Sequence, residues 1–492
     1  MGVEIDCEEF VETDYARFEQ RLAESMLALE ELLARPGLGD GEASLGAELE
    51  LHLVDEGGRP APVNRAVIAS ATDARLAPEI DSFNLELNAV PVLLRGRSFS
   101  ALRDQLDDAL ASARSAAATQ GARVVSIGLL PTLTEADLGR AALSDFRRYR
   151  ALSAAVRSRR KRPFSLRIEG DDVLDTCADD VTFEGANTSF QVHLRVAPDA
   201  FARTYNAAQL ATAVVLAVST NSPLFLGKRL WEETRIPLFR QSVDDRCDEA
   251  VDWKPARVTF GHGWVRRSAL ELFAESVALH DPLLPVVTRE APLEIVRAGG
   301  VPALRELRLH QGTIWRWNRA IYDDAEGGHL RIEFRALPSG PTVADMVANA
   351  TFLVGLTLGL APRADELVAR LTFSQARRNF YEAARCGLSA MLAWPGKGRT
   401  ALVRASELVA ALLPTAKHGL VEAGVDTGDV SRWLSIIERR CAREMTGARW
   451  QRRVFDHRRR HEGAREAAAS MLAAYMRESE SGRTVDAWEL PR

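Results

Sequence analysis

The chain has 492 residues, 46% of them hydrophobic and 27% charged, the balance of an ordinary globular protein with ample apolar material for a core. That composition excludes global disorder and a fibrous chain, and a formal net charge of −5 leaves no overall electrostatic footprint for nucleic acid. The five cysteines (Cys7, Cys177, Cys247, Cys386 and Cys441) never form a C-x-x-C pair, so neither a disulfide framework nor a zinc knuckle is expected, and a reducing, cytoplasmic setting fits.

The opening MGVEIDCEEFVETD is acidic where a secretory signal needs basic and then apolar residues. An amphipathic helix is expected over 15–33, where Phe18, Leu22, Met26, Leu29 and Leu33 return at three- and four-residue steps until Pro36-Gly37 stops it. Strands are expected over 44–54, 80–94, 123–130, 187–196 and 329–336, with DEGGRPAP as the turn after the first. Helical patterns lie over 98–118, 138–159, 201–218 and 293–309. No glycine-rich phosphate turn follows the first strand, which removes support for a dinucleotide-binding or P-loop fold. After Pro341 the texture turns helical as far as about residue 478, opening with a Thr342-x-x-Asp345 capping box. The longest apolar runs, 210–218 and 350–360, fall short of the ~20 residues a membrane span requires, so no membrane segment is expected. The elements together predict an α+β domain over 1–340 and a mainly helical C-terminal region over 341–492.

Four of the strands carry the chemical signal, because side chains alternate faces along a strand and each face can be read separately. Ala47, Leu49, Leu51 and Leu53 oppose Glu48, Glu50 and His52, while Phe83, Leu85 and Leu87 oppose Asn84, Glu86 and Asn88. Phe190, Val192, Leu194 and Val196 oppose Gln191, His193 and Arg195, and Ile332, Phe334 and Ala336 oppose Arg331, Glu333 and Arg335. A sheet with one solvated side would explain any single strand. Solvated faces, however, favour Thr, Ser and Lys, whereas these positions hold Glu, His, Gln, Asn and Arg. Glu48 and Glu50 repel one another unless a cation sits between them. Oxygen ligands from Glu48, Glu50, Glu86 and Glu333, with Gln191 and His193 as softer donors, suit Mg2+ or Mn2+ better than zinc. Arg335 adds a fixed positive charge beside Glu333, and carboxylate-held magnesium next to arginine is a recurrent apparatus for phosphoryl transfer from ATP.

The ordered motifs GAELELHL (46–53), DSFNLELN (81–88), ANTSFQVHL (186–194), NSPLFLGKRLWEETR (221–235) and LRIEFRALPSGPT (330–342) resemble the glutamate–cysteine ligase type 2 family of carboxylate–amine ligases, relatives of glutamine synthetase. The resemblance implies a curved antiparallel sheet, flanked by helices, whose concave charged face holds Mg2+ ions and the ATP phosphates. Carried over by position, it implies Glu48, Glu50, Glu86, Gln191, His193 and Glu333 as the metal-binding set and Arg335 as the contact of the transferred phosphate. Arg331 and Arg195 share that face as further nucleotide contacts, and Arg235 is similar to the family's substrate-side arginine. Where such ligases tend to carry a His-x-His pair, this chain has Gln191-Val192-His193. The segment after Asn221-Ser222-Pro223 runs GKRLWEETR in place of the usual glycine-rich wording. The implied reaction joins the γ-carboxyl of glutamate to cysteine through an acyl phosphate, a step of glutathione biosynthesis on small-molecule substrates. The same chemistry on another amine, amino acid or peptide, and a non-catalytic protein binding a nucleotide or other anion, stand as alternatives.

Several weaker features have plainer readings. His457 and His461 stand four apart among arginines, as on a solvated basic helix face rather than a zinc site, and the arginine-rich stretch 439–465 reads as exposed helix. PGKGRT (395–400) lacks the first glycine of a phosphate loop and reads as an interhelical turn. Trp315, Trp317 and Arg319 read as packing anchors, with Arg319 a candidate phosphate or substrate contact, and Cys386 reads as a small apolar residue rather than a nucleophile.

Overall fold

The computed structural model describes residues 5, 7–246, 254–396 and 398–491, so Cys247 and Lys397 lie outside the described residues. The amphipathic segment forms α1 (Glu12–Leu33), which buries Phe18, Leu22 and Leu29. Seven strands then build one open sheet: β1 (Ser44–Val54), β2 (Leu76–Pro78), β3 (Asn84–Leu93), β4 (Arg123–Val125), β5 (Phe190–Val196), β6 (Asn318–Asp323) and β7 (His329–Phe334). All pairings are antiparallel, in the order β6-β7-β5-β1-β3-β2, with β4 paired to the C-terminal end of β1. The four strands with one charged face are therefore consecutive neighbours, β7-β5-β1-β3, although the chain visits them far apart.

Their apolar face is the core. Leu49, Leu51, Leu85, Leu87, Val192, Ile332 and Phe334 are wholly buried, each such side chain contributing about 1.5–3 kcal/mol by leaving water. Three helices cover this face: α2 (Ser98–Thr119) against β1 and β3, α3 (Phe201–Ser219) against β6 and β7, and α4 (Val343–Leu360) against β5. Helices apolar all round belong inside, and α3 and α4 are buried along nearly their whole length. The stretch Val343–Arg370 is in fact long and apolar enough to cross a membrane, contrary to the run-length expectation, but 83% of its apolar window is buried within the fold. It serves as the central core helix. Thr342 caps α4 as expected, its hydroxyl accepting from the Asp345 amide at 3.1 Å.

The C-terminal region adds α5 (Phe373–Cys386), α6 (Ala405–Glu422), α7 (Thr427–Arg443), α8 (Gly447–Arg458) and α9 (Ala464–Glu480). Helices α4 and α6 cross in backbone contact. A Cβ on Gly359 would stand 2.2 Å from the Thr415 carbonyl oxygen, and one on Gly419 would stand 2.4 Å from the Gly359 nitrogen.

Several expectations are corrected by the fold. The region after Pro341 is not helical throughout: Met391–Pro395 and Thr400–Arg404 form a β-hairpin, and residues 395–400 are its turn rather than an interhelical one. The helix expected over 138–159 begins only at Arg147, and that over 293–309 breaks into Pro292–Arg297 and Arg305–Gly312 around Gly299-Gly300 and Pro302. The strand at 123–130 stops at Val125. His461 lies beyond the end of α8 at Arg458, so it shares no helix face with His457. The arginine-rich stretch is partly internal: Arg440 is 1% exposed and donates to Asp345 at 2.5 Å and to Asn349 at 2.7 Å. A second hairpin, Phe164–Glu169 with Val173–Ala178, was not anticipated.

At the outer side of β3, beyond the reach of the short β2, the backbone of Val90 is occupied by a side chain. Gln105 on α2 accepts from the Val90 amide at 3.0 Å and donates to the Val90 carbonyl at 3.2 Å.

Candidate active site

Antiparallel register converts the sequence alternation into rows of side chains across one face. Arg319, Glu333 and His193 are successive cross-strand partners on β6, β7 and β5, and Gln191, Glu48 and Asn88 form the next row on β5, β1 and β3. Glu50 and Glu86 face each other across β1 and β3 in the third. Arg331 and Arg195 are partners at the opposite end, where Arg331 pairs with Asp323 at 3.1 Å and Arg195 with Glu326.

Two triads emerge. Glu48, His193 and Glu333 present ligand atoms all within 4.8 Å of one another, and so do Glu50, Glu79 and Glu86. In the first, His193 Nε2 lies 3.1 Å from Glu48 and 3.9 Å from Glu333, but off the line a hydrogen bond needs. Both His193 ring nitrogens and Glu48 Oε2 are thus buried without a hydrogen-bond partner among the described residues, an arrangement that costs free energy unless something binds there. In the second, Glu50 accepts from the Ser189 amide at 2.6 Å and from Gln191 at 2.8 Å, and Glu86 accepts from Asn88 at 2.8 Å.

Crowded carboxylates in a dry face resist ionisation. Burial, reinforced by the Glu48 charge, pushes Glu86 up to about 7. Burial with the Glu86 and Glu50 charges holds Glu79 well above the usual carboxylate range, and burial beside Glu50 pushes Glu184 up to about 8. Burial also raises Glu50, though Arg335 and Arg235 oppose it. For Glu48 the neighbouring His193 outweighs burial and the carboxyl sits below its ordinary value. The donor chemistry fits divalent cations: carboxylate oxygens that repel one another, and imidazole and carboxylate atoms left without partners.

Arginines frame the first triad. Arg319 grips Glu333 with both ends of its guanidinium, at 2.7 and 2.9 Å, and Arg335 approaches the same carboxylate at 3.3 Å. Burial alone would raise Glu333, but these two cations hold it below the carboxylate range. Gln191 accepts from Arg335 and donates to Glu50, so it bridges the two triads with both ends of its amide engaged. Arg235 lies behind this layer, donating to the carbonyls of Ala336 at 3.2 Å and Arg335 at 3.4 Å as well as to Glu233 at 3.3 Å. All the expected residues thus sit on or directly behind one face, with Arg331 and Arg195 at its far end.

Sequence reasoning missed Glu79, Glu184 and the strand that places Arg319. Glu79 lies just after β2 and Glu184 in the short helix Thr182–Gly185, outside any period-two pattern. Strand β6 is buried on both faces, with Tyr205 of α3 donating to the Asn318 carbonyl at 2.7 Å, so its residues do not alternate polar with apolar. Cys386 follows the expectation: burial pushes its thiol up to about 11, far from a reactive thiolate.

Residues 44–470 match the family model of Glutamate-cysteine ligase family 2 (GCS2). The chain belongs to glutamate-cysteine ligase family 2. That membership makes it a carboxylate–amine ligase. Among solved structures, a glutamate–cysteine ligase from Francisella tularensis in complex with AMP is similar in fold, with a TM-score of 0.52 and 11% identity over 92% of this chain and 90% of that one. A bifunctional glutathione synthetase from Pasteurella multocida aligns with a TM-score of 0.42 and 10% identity over 94% and 55% of the two chains. The ligase PafA, in its complex with the prokaryotic ubiquitin-like protein Pup, aligns with a TM-score of 0.38 and 9% identity over 87% and 72%. Comparison with curated proteins gives no match. The mixed helix and open antiparallel sheet of this family-2 chain is the fold its motifs imply.

Proposed function

We propose that this member of glutamate-cysteine ligase family 2 is an ATP-dependent ligase that joins the γ-carboxyl of glutamate to the amine of cysteine. The observation that carries the reading is the juxtaposition, on one face, of two acidic triads with the Arg335 guanidinium. In the proposed reaction the glutamate γ-carboxylate takes the terminal phosphoryl group of ATP, releasing ADP, and the amine then displaces phosphate from the acyl phosphate with loss of a proton. Glu48, His193 and Glu333 would hold one divalent cation and Glu50, Glu79 and Glu86 a second. Mg2+, when bound, screens the repulsion between carboxylate and triphosphate.

The chain's own residues supply position and field. Arg335, already desolvated, offers charge to the phosphoryl group in transit and needs no reorganisation to do so. Arg319 fixes the carboxylate of Glu333, Gln191 holds Glu50 and Arg335 in register, and Arg235 braces the backbone that presents Arg335. Arg331 and Arg195 would meet the nucleotide at the far end of the face. Cysteine as acceptor would place the enzyme in cytoplasmic glutathione biosynthesis.

The test is Mg2+-dependent ADP release by the purified chain with glutamate, with and without cysteine and across a panel of other amines. Release that needs glutamate and cysteine together is expected. Release with a different amine would keep the chemistry and change the acceptor, and no release with any pair would overturn the proposal.

A further inference from the structure

The strand Phe164–Glu169 of the second hairpin, the short helix Arg235–Ser242 and α5 line an open cavity of about 420 Å3. It shares no residue with the acidic face. Four arginines line it: Arg167 is held by Glu169 and Asp175, and the other three, Arg160, Arg240 and Arg385, converge on it against a wall that includes the rings of Trp231 and Tyr381. None of the three has a carboxylate partner among the described residues. Arg160 is fixed by donating to main-chain carbonyls, of Asp244 at 2.7 Å and Pro163 at 3.1 Å, contacts that hold the guanidinium without neutralising it. Arg240 lies over the Tyr381 ring, 5.9 Å from its centroid, and Arg385 is exposed at the rim.

The acids that line the cavity are already taken. Glu169 accepts from Arg167 at 2.8 Å, and Asp244 accepts from Arg246 at 2.8 and 2.5 Å. A concavity with an uncompensated cluster of one sign, backed by low-dielectric aromatic walls, focuses its field on the space it encloses. Guanidinium forks match carboxylate and phosphate oxygens equally well.

We propose that this cavity binds a small anion carrying at least two negative charges, as carboxylate or phosphate, at a site separate from the acidic face. The proposal is independent of the ligase reading. Its location gives it mechanical reach: Arg240 and Gln241 belong to the helix that begins with Arg235, and Arg235 donates to the carbonyls of Arg335 and Ala336. An occupied cavity therefore lies against the element that braces Arg335.

Isothermal titration of the full chain in metal-free buffer tests this, with citrate and inorganic pyrophosphate as separate arms. At least one anion is expected to bind at one equivalent, more weakly as salt rises. Citrate alone would identify a carboxylate ligand, pyrophosphate alone a phosphate ligand, and binding of both would show the shared charge to be what is read. Arg240→Ala should weaken that binding about tenfold or more, the factor expected for a hydrogen bond to a charged group. Arg385→Glu should do the same, and its position at the exposed rim leaves the fold intact. Glu333→Gln, on the acidic face, should leave the affinity unchanged. Binding of neither anion, wild-type affinity in Arg385→Glu, or loss of binding in Glu333→Gln would each overturn the proposal.

Discussion

Arg319→Leu is the most discriminating perturbation of the acidic face. Arg319 and Glu333 have side chains 2% and 1% exposed and are joined by hydrogen bonds of 2.7 and 2.9 Å, so the substitution strands a buried carboxylate. Breaking a buried ion pair from one side costs about 3–5 kcal/mol. Arg335 remains at 3.3 Å and keeps part of the compensation, which places the expected loss at the low end, about 3 kcal/mol. The double variant Arg319→Leu/Glu333→Leu removes both charges and should recover much of it, giving a large coupling energy. Equilibrium urea unfolding followed by circular dichroism reads both.

The pH dependence follows with a definite sign. Glu333 is held below the ordinary carboxylate value, because the Arg319 and Arg335 charges outweigh the upward push of burial. Its stabilising contribution is therefore complete above the unfolded value of about 4.3 and is lost as pH falls from there toward the depressed folded value. In Arg319→Leu the deficit should shrink as acid protonates Glu333. A loss under about 1 kcal/mol at neutral pH, or a double variant no better than the sum of the singles, would refute the view of Arg319 as the partner that makes an ionised Glu333 tolerable.

Other outcomes follow from the same face and from the core. Glu333→Gln should lower turnover in the ADP-release assay by about 10²–10³-fold, the usual effect of losing one stabilising group, and near-normal turnover would contradict the site assignment. Glu86 sits at about 7 through burial and the Glu48 charge, so the metal-free fold is favoured with Glu86 protonated. The stability it lends is complete below its unfolded value of about 4.3 and lost as pH rises through about 7. Mg2+ should replace that proton, so it should raise the melting temperature more at alkaline than at mildly acidic pH, an effect that Glu86→Gln diminishes. Gly419→Ala puts a Cβ 2.4 Å from the Gly359 nitrogen and should cost about 1–3 kcal/mol in urea unfolding by forcing α4 and α6 apart.

What the sequence made legible depended on solvent contrast. Strands β1, β3, β5 and β7 each keep one apolar and one charged face, and the period-two pattern located both the core layer and Glu48, Glu50, Glu86, His193 and Glu333. Strand β6 escaped because its core face, covered by α3, carries the polar Asn318 and Tyr322 while Ile321 shares the charged face with Arg319, so polar and apolar positions do not alternate. Glu79 and Glu184 escaped because they come from a strand end and a four-residue helix, where no periodicity exists to read. The hairpin Phe164–Glu169 with Val173–Ala178 did carry a readable signal: Phe164, Leu166 and Ile168 alternate with Ser165, Arg167 and Glu169 before the turn. The arginines of 439–465 misled for the opposite reason, since a buried arginine and a solvated one look identical until Asp345 and Asn349 arrive from α4 to claim Arg440.

The amide of Gln105 has a consequence for behaviour in concentrated solution. It satisfies the donor and the acceptor that Val90 would otherwise offer to an incoming strand, beside side chains of Val90 and Leu93 that are 58% and 41% exposed. An unpaired, apolar strand margin is a template for intermolecular association, and one carboxamide placed across it acts as a plug. Colloidal solubility of the whole chain would then rest on a residue remote from every functional group, and Gln105→Ala would reveal itself in light scattering well before it changed a melting curve.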